Sequence, residues 1–251
     1  VLIRVFVPDP TYSKPAPVMQ LKSMMERQIE NFRYEKERTH TFNQGDFTQL
    51  GELQFSDEEV LEVVMDKPVS LYLRGFVGEK YTQTRWELLD EEVRYDSYGL
   101  FYWLHEEGFS PFRQLSILSE LASDEEDETV RVTIHNKNAN SKYVYTPYEL
   151  YSYVEGVDGA KAIGGSTLTS EAFFGDRLYS YEVKENLVKE YPRLANQAYD
   201  IKKNGTNRQY FEQESHYNHF VYQHYTDIPE HIASLPSYQL QVAGKGEGQH
   251  I

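Results

Sequence analysis

The sequence predicts an α+β fold: a β-rich central domain with an N-terminal amphipathic helix before it and a C-terminal helical pair after it. Three patterns carry this expectation. From Thr129 to His135, Val130, Val132 and Ile134 alternate with Arg131, Thr133 and His135, the period of a half-buried strand. Tyr217, Phe220, Val221, His224, Tyr225 and Ile228 recur at three- and four-residue steps, one core-facing helical stripe that Pro229 ends. Val18, Leu21, Met25, Ile29 and Phe32 form a similar stripe from about Val18 to Lys36.

The remaining elements follow in order. Pro8, Pro10, Pro15 and Pro17 keep the first stretch extended, because proline fixes φ and lacks a donor. Thr39 to Asp46 reads as a loop, and Val69 to Val77, rich in β-formers, as a strand. The Thr82-Gln83-Thr84 turn closes a hairpin onto a second strand near Trp86. Trp86 and Tyr72 are expected inside the β core. Phe101 to Leu104 and Phe112 to Leu121 carry short helices, punctuated by Gly108 and Pro111. After the strand at Thr129, a return strand is expected at Tyr143-Val144-Tyr145, stopping at Pro147. Gly156 to Gly165 reads as a Gly-rich surface loop, Arg177 to Val183 as a strand, and Leu187, Val188, Tyr191 and Leu194 as the start of a helix. These readings divide the chain into 1–45, an extended segment and helix; 46–185, the β-rich domain; 186–235, the helical segment; and 236–251, a Gly-rich tail.

Composition excludes several functions. The chain of 251 residues carries 40 acidic against 25 basic residues, a net charge of -15. Such a surface repels nucleic-acid phosphates and anionic lipid headgroups, so no nucleic-acid partner is expected. There is no Cys, which rules out disulfides, thiolate metal sites and a cysteine nucleophile within these residues. A Cys-free, Tyr-rich, acidic chain fits a bacterial cell-surface protein, and its termini read as cut from a longer polypeptide.

Few residue groups point to chemistry. Glu212, His216 and His219 lie outside the C-terminal apolar stripe and present donor types suited to zinc, but a structural site wants four ligands, so a solvated helix face is the simpler reading. Asp124 to Glu128 lacks the ligand spacing and turn glycine of a calcium loop. No cofactor is expected. No nucleophile elbow or phosphate-binding loop occurs, and Gly164-Gly165-Ser166-Thr167 matches neither. Asn204-Gly205-Thr206 fits a glycosylation acceptor and, more simply, a turn between two helices. The 21 tyrosines leave room for a glycan- or peptide-binding surface, with Tyr81, Trp86 and Trp103 as aromatic candidates, although most such residues fill cores. Carboxylates are abundant enough for a glycosidase-like hydrolase, but their spatial pairing is not written in the sequence.

The run from Leu71 to Trp86, with Tyr72-Leu73-Arg74-Gly75, then Tyr81-Thr82 and Trp86, resembles a segment of bacterial membrane-anchored transglutaminase-like proteins. There an extracytoplasmic domain between membrane helices and the enzyme-like core carries Tyr-Leu-Arg-Gly, Tyr-Thr-Gly and Trp; Gln83 stands here where glycine is frequent. Tyr217, Phe220-Val221-Tyr222, Tyr225 and Ile228-Pro229-Glu230 are similar to the helix that leads into the core of such proteins. The resemblance implies a non-catalytic extracytoplasmic module that spaces, orients or gates a downstream core, or recruits its substrate. Its partners would be that core, membrane helices and cell-wall or surface proteins. The family's core uses Cys, His and Asp; without a Cys none of these roles can be placed on this chain, and His216, His219 and His224 do not take them.

Overall fold

The computed structural model describes residues 21, 24–25, 28–29, 32–34, 45–48, 57–122, 128–163, 165–226 and 228–234. Its elements are β1 (Leu61–Met65), β2 (Lys80–Tyr81), β3 (Trp86–Glu87), α1 (Glu91–Asp96), α2 (Tyr98–Glu106), a 3-10 turn (Pro111–Arg113), α3 (Gln114–Ala122), β4 (Thr129–Asn136), β5 (Ala160–Ile163), β6 (Thr167–Ser170), β7 (Leu178–Lys184), α4 (Tyr191–Lys203), α5 (Arg208–His224) and α6 (Glu230–Ala233). The α+β class is as expected, with the helical pair α4–α5 after the strands.

An antiparallel sheet of order β1-β4-β7 forms the centre. The alternation in β4 puts Val130, Val132 and Ile134 on one buried face, as the sequence expectation requires. Register sets Val132 beside Tyr181 and Ile134 beside Tyr179 on one side, and Val63 beside Ile134 on the other. Phe112, Val144 and Leu150 close over that face, with Leu71 and Leu73 packed at its margin. A second core joins α2 to α5: Leu104 and Phe109 pack on Tyr217, with Phe101 edge-on to Phe220 at 4.9 Å. Elsewhere α3 packs on α4.

Several sequence expectations change. Val69 to Val77 is extended but not a strand; its one bridge joins Arg74 to Thr146. The ladder does not spread, because Val144, the next residue in register whose N–H could face this segment, donates to the Leu168 carbonyl at 3.0 Å instead. Gly75 lies so close that a Cβ there would sit 2.6 Å from the Tyr145 ring. Tyr143 to Tyr145 is not a return strand of β4, because it pairs with β6 instead: Tyr143 bridges Thr169, and the Tyr145 N–H donates to the Tyr179 hydroxyl at 2.7 Å. The supposed Gly156–Gly165 loop contains β5, which pairs with β6.

The hairpin is present but its first arm is only Lys80–Tyr81, extended by Asp46 bridging Arg85. Tyr72 is 67% exposed and Trp86 42% exposed, against the expectation that both are buried. In the 71–73 segment the alternation sends both leucines inward, which turns Tyr72 out. Near the N-terminus, Leu21, Met25, Ile29 and Phe32 have helical backbone, yet all are exposed; Tyr34 is the buried residue there. Val18 and Lys36 lie outside the described residues, as do the acidic residues 124–127 and the tail after 234. Leu187 and Val188 sit in a turn, and α4 begins at Tyr191, followed at once by Pro192, which suits a first helical turn. Finally, α5 ends at His224, before Pro229, and Ile228 is exposed.

Because α5 lies on α2, amides near Phe220 and Val221 are expected to show hydrogen-exchange protection comparable to Val130–Ile134. Phe220→Ala should cost about 3–5 kcal/mol in urea unfolding. Tyr72→Ala, on an exposed side chain, should cost less than about 1 kcal/mol.

Candidate functional site: the buried joint at Glu79

The extended 71–79 segment runs inward, and its last residue is a carboxyl group only 5% exposed. Burial of a carboxyl group is tolerated only with donors around it. Three parts of the chain supply them. The Leu89 N–H donates to Glu79 Oε2 at 2.8 Å, the Ser166 hydroxyl to Oε1 at 3.1 Å, and the Tyr225 hydroxyl to Oε1 at 2.9 Å. Burial first, and the charge of Glu79 second, push the Tyr225 hydroxyl well above the ordinary tyrosine value, so it remains a donor. Glu79 thus ties the β2 entry, the β5–β6 turn and the end of α5 at one point.

Neighbouring contacts fix the approach. At Gly78 a Cβ would meet Trp86 Cβ at 2.4 Å, so only glycine lets this segment pass the hairpin. Trp86 in turn packs on Tyr81, ring centroids 5.1 Å apart, and its backbone N–H donates to the Gly45 carbonyl at 2.9 Å. Arg74 lies over the Tyr148 ring at 4.2 Å, with its Nη2 donating to the Pro147 carbonyl at 3.2 Å. Its desolvation lowers the guanidinium pKa from the usual value.

Glu149, buried nearby, has its pKa raised by desolvation, partly offset by backbone N–H bonds from Glu149 itself and Val188. One of its oxygens, Oε2, is buried without a hydrogen-bond partner, whereas the Glu79 carboxyl is engaged through both oxygens. Glu79 uses three of roughly four carboxylate acceptor positions on internal donors.

Of the sequence-derived candidates, Tyr81 and Trp86 pack together beside the approach to Glu79, and the others lie on α2 and α5. Tyr81 is half-buried and Trp86 more exposed, both on the β2–β3 hairpin. Trp103 is half-buried on α2, edge-on to His216 at 5.3 Å. Glu212 and His216 are exposed on α5 and line an open cleft; His219 is exposed outside it. Among the described residues, no three His, Asp or Glu side chains gather closely enough to hold a metal ion. The sequence reading did not single out Glu79, Ser166 or Tyr225 as a set. One signal existed: a lone acid directly after Phe76-Val77-Gly78.

No family model, curated protein or solved structure matches this chain.

Tyr225→Phe and Glu79→Gln should each destabilise by about 1–3 kcal/mol in urea unfolding, since each leaves a buried group short of a partner. Their effects should be non-additive in a double-mutant cycle. Glu149 makes an opposite prediction. Its folded pKa stands above the ordinary 4.5, so the folded state holds the proton more tightly than the unfolded chain. Stability from this group is therefore present below pH 4.5 and is lost as pH rises through the raised value. Glu149→Gln keeps the oxygen that accepts the backbone bonds and removes the charge. The variant should be more stable than wild type near neutrality, with the gain vanishing toward pH 4.5 in a pH series of thermal melts.

Proposed function

We propose that this chain is a non-catalytic extracytoplasmic module of a transglutaminase-like membrane protein, which holds and orients the polypeptide leading to the downstream core. One observation carries the reading. The two segments that bear the resemblance, Leu71 to Trp86 and Tyr217 to Glu230, close on each other through the Tyr225–Glu79 hydrogen bond at 2.9 Å. Tyr225 caps α5, so the polypeptide continuing through Ile228 and Pro229 leaves from a point fixed to the body. Such a joint suits a spacer whose exit direction matters. No helix among the described residues is long and apolar enough to cross a membrane.

A second reading, binding of cell-wall glycan or peptide, is favoured by a different surface. Tyr98 and Tyr102 are exposed on α2 with rings near parallel, centroids 6.3 Å apart, and Tyr95 is exposed on α1. Exposed aromatic faces of this kind stack on sugar rings and peptide side chains.

Two measurements test the primary reading. The purified chain should form no product from a glutamine donor and an amine, because it has no thiol. The complete reading frame should encode membrane helices and a Cys–His–Asp core beyond residue 251; a frame without them overturns the proposal. For the second reading, pull-down on insoluble cell-wall glycan should be lost in Tyr98→Ala/Tyr102→Ala, and no pull-down by the wild type removes it.

A further inference from the structure

We infer that the cleft at the α4–α5 elbow is a binding site for a small organic oxyanion, a phosphate- or carboxylate-bearing ligand. The inference stands apart from the orienting role proposed above and does not use the Glu79 joint. The cleft has a volume of about 550 Å3 and is open to solvent. That volume falls within the usual range of small-molecule sites, roughly 300–1,000 Å3. Lys202, Lys203, Arg208 and His216 line it, with the Thr206 and Ser215 hydroxyls and Phe211; Glu212 is its one acidic member.

Charge is the argument. The chain has 40 acidic residues against 25 basic ones, so a cation can usually find a carboxylate nearby. Many do: Lys67 pairs with Glu185, Lys80 with Asp90, Arg131 with Glu155 and Lys137 with Glu62. Among the described residues, Lys202, Lys203 and Arg208 have no carboxylate within ion-pair distance, although they converge on one concavity. Lys202 feels the charge of Glu214 on α5 but forms no ion pair with it, and all three cations are open to solvent. The Lys202 ammonium lies 5.8 Å from the centre of the buried Phe211 ring, and Arg208 Nε donates to the Gly205 carbonyl at 3.3 Å. That bond holds the Arg208 side chain at the mouth while both terminal nitrogens remain free to fork onto an oxyanion.

The turn that sets this arrangement is narrow in its options. Gly205 and Asn207 both take positive φ, 72° and 54°, reversing the chain so that the last turn of α4 faces the first turns of α5. His216 is held in place by its edge-on contact with Trp103 at 5.3 Å. A ligand with one oxyanion and a compact body would meet the lysines and Arg208 at one end and the hydroxyls of Thr206 and Ser215 beside them.

The test titrates inorganic phosphate, and separately acetate, into the intact protein at constant ionic strength, following amide shifts by NMR. We expect saturable shifts concentrated at residues 203–216 with at least one probe. Saturation with phosphate alone identifies a phosphate site and with acetate alone a carboxylate site; both support the inference. Lys202→Gln/Lys203→Gln/Arg208→Gln, whose side chains are exposed and whose folding is checked by circular dichroism, should weaken binding at least tenfold. Lys67→Gln/Lys137→Gln/Lys161→Gln removes the same charge outside the cleft and should leave affinity unchanged. Non-saturating shifts with both probes, or equal weakening in the two triple variants, overturns it, since either means diffuse attraction rather than a site.

Discussion

The inner face of β4 is the surface on which the other layers assemble. Val132 and Ile134 are 0% exposed, and β4 is the one strand of its sheet paired on both sides. Apolar burial is worth about 25 cal/mol per Å2, so a face this completely covered dominates the stabilisation of its neighbourhood. Phe112 reaches it from the 3-10 turn, Val144 and Leu150 from an irregular segment, and the 71–73 leucines from another. Irregular backbone can serve as a covering layer here because its polar groups find local partners: Arg74 with Thr146, Tyr145 with Tyr179, Ser116 with the Leu150 carbonyl.

The same accounting explains why α5 ends where it does. Between Phe211 and Phe220 it buries Phe211, Gln213, Tyr217 and Phe220, with Tyr217 packed on Leu104 and Phe109. The apolar stripe continues in sequence to Ile228, but Tyr225 spends its hydroxyl on Glu79 instead of extending a helical face. Pro229 lacks the N–H that would reach the Tyr225 carbonyl, so the helix stops here and leaves Tyr225 at its cap, where the hydroxyl satisfies the buried Glu79 carboxyl. The joint therefore couples a hydrophobic docking surface to a polar lock, and the lock sets the direction in which the polypeptide leaves.

Charge is distributed with a comparable division of labour. Cations on the sheet and hairpin are matched to carboxylates across short distances, as in Arg131–Glu155 at 2.7 Å and Lys137–Glu62 at 2.7 Å. Exposed pairs of this kind contribute little to stability, typically under about 1 kcal/mol, but they leave no net local field. The α4–α5 elbow departs from this matching: Lys202, Lys203 and Arg208 line a concavity of an otherwise acidic molecule.

Period and punctuation were enough to read from sequence wherever an element makes its own pattern. Strand β4, strand β7, helix α2 and the Asn204-Gly205 turn are all local: alternation, helical spacing or a residue tolerant of positive φ dictates each without reference to the rest of the chain. The absence of cysteine likewise settled by sequence alone which nucleophile these residues lack. Tertiary structure decided the rest. Val69 to Val77 has strand composition, but only the distant β6 could show that the Val144 N–H, which would continue the pairing, is engaged elsewhere. Tyr72 is apolar enough for a core, and it was the inward turn of Leu71 and Leu73 that put it at the surface. Glu79 looks like any acid in a chain of 40; its role exists because residues 87 and 146 positions away in sequence bring their hydroxyls to it. Hydrogen-bond satisfaction of a buried group is a property of three-dimensional neighbours, whereas periodicity is a property of the backbone's own repeat.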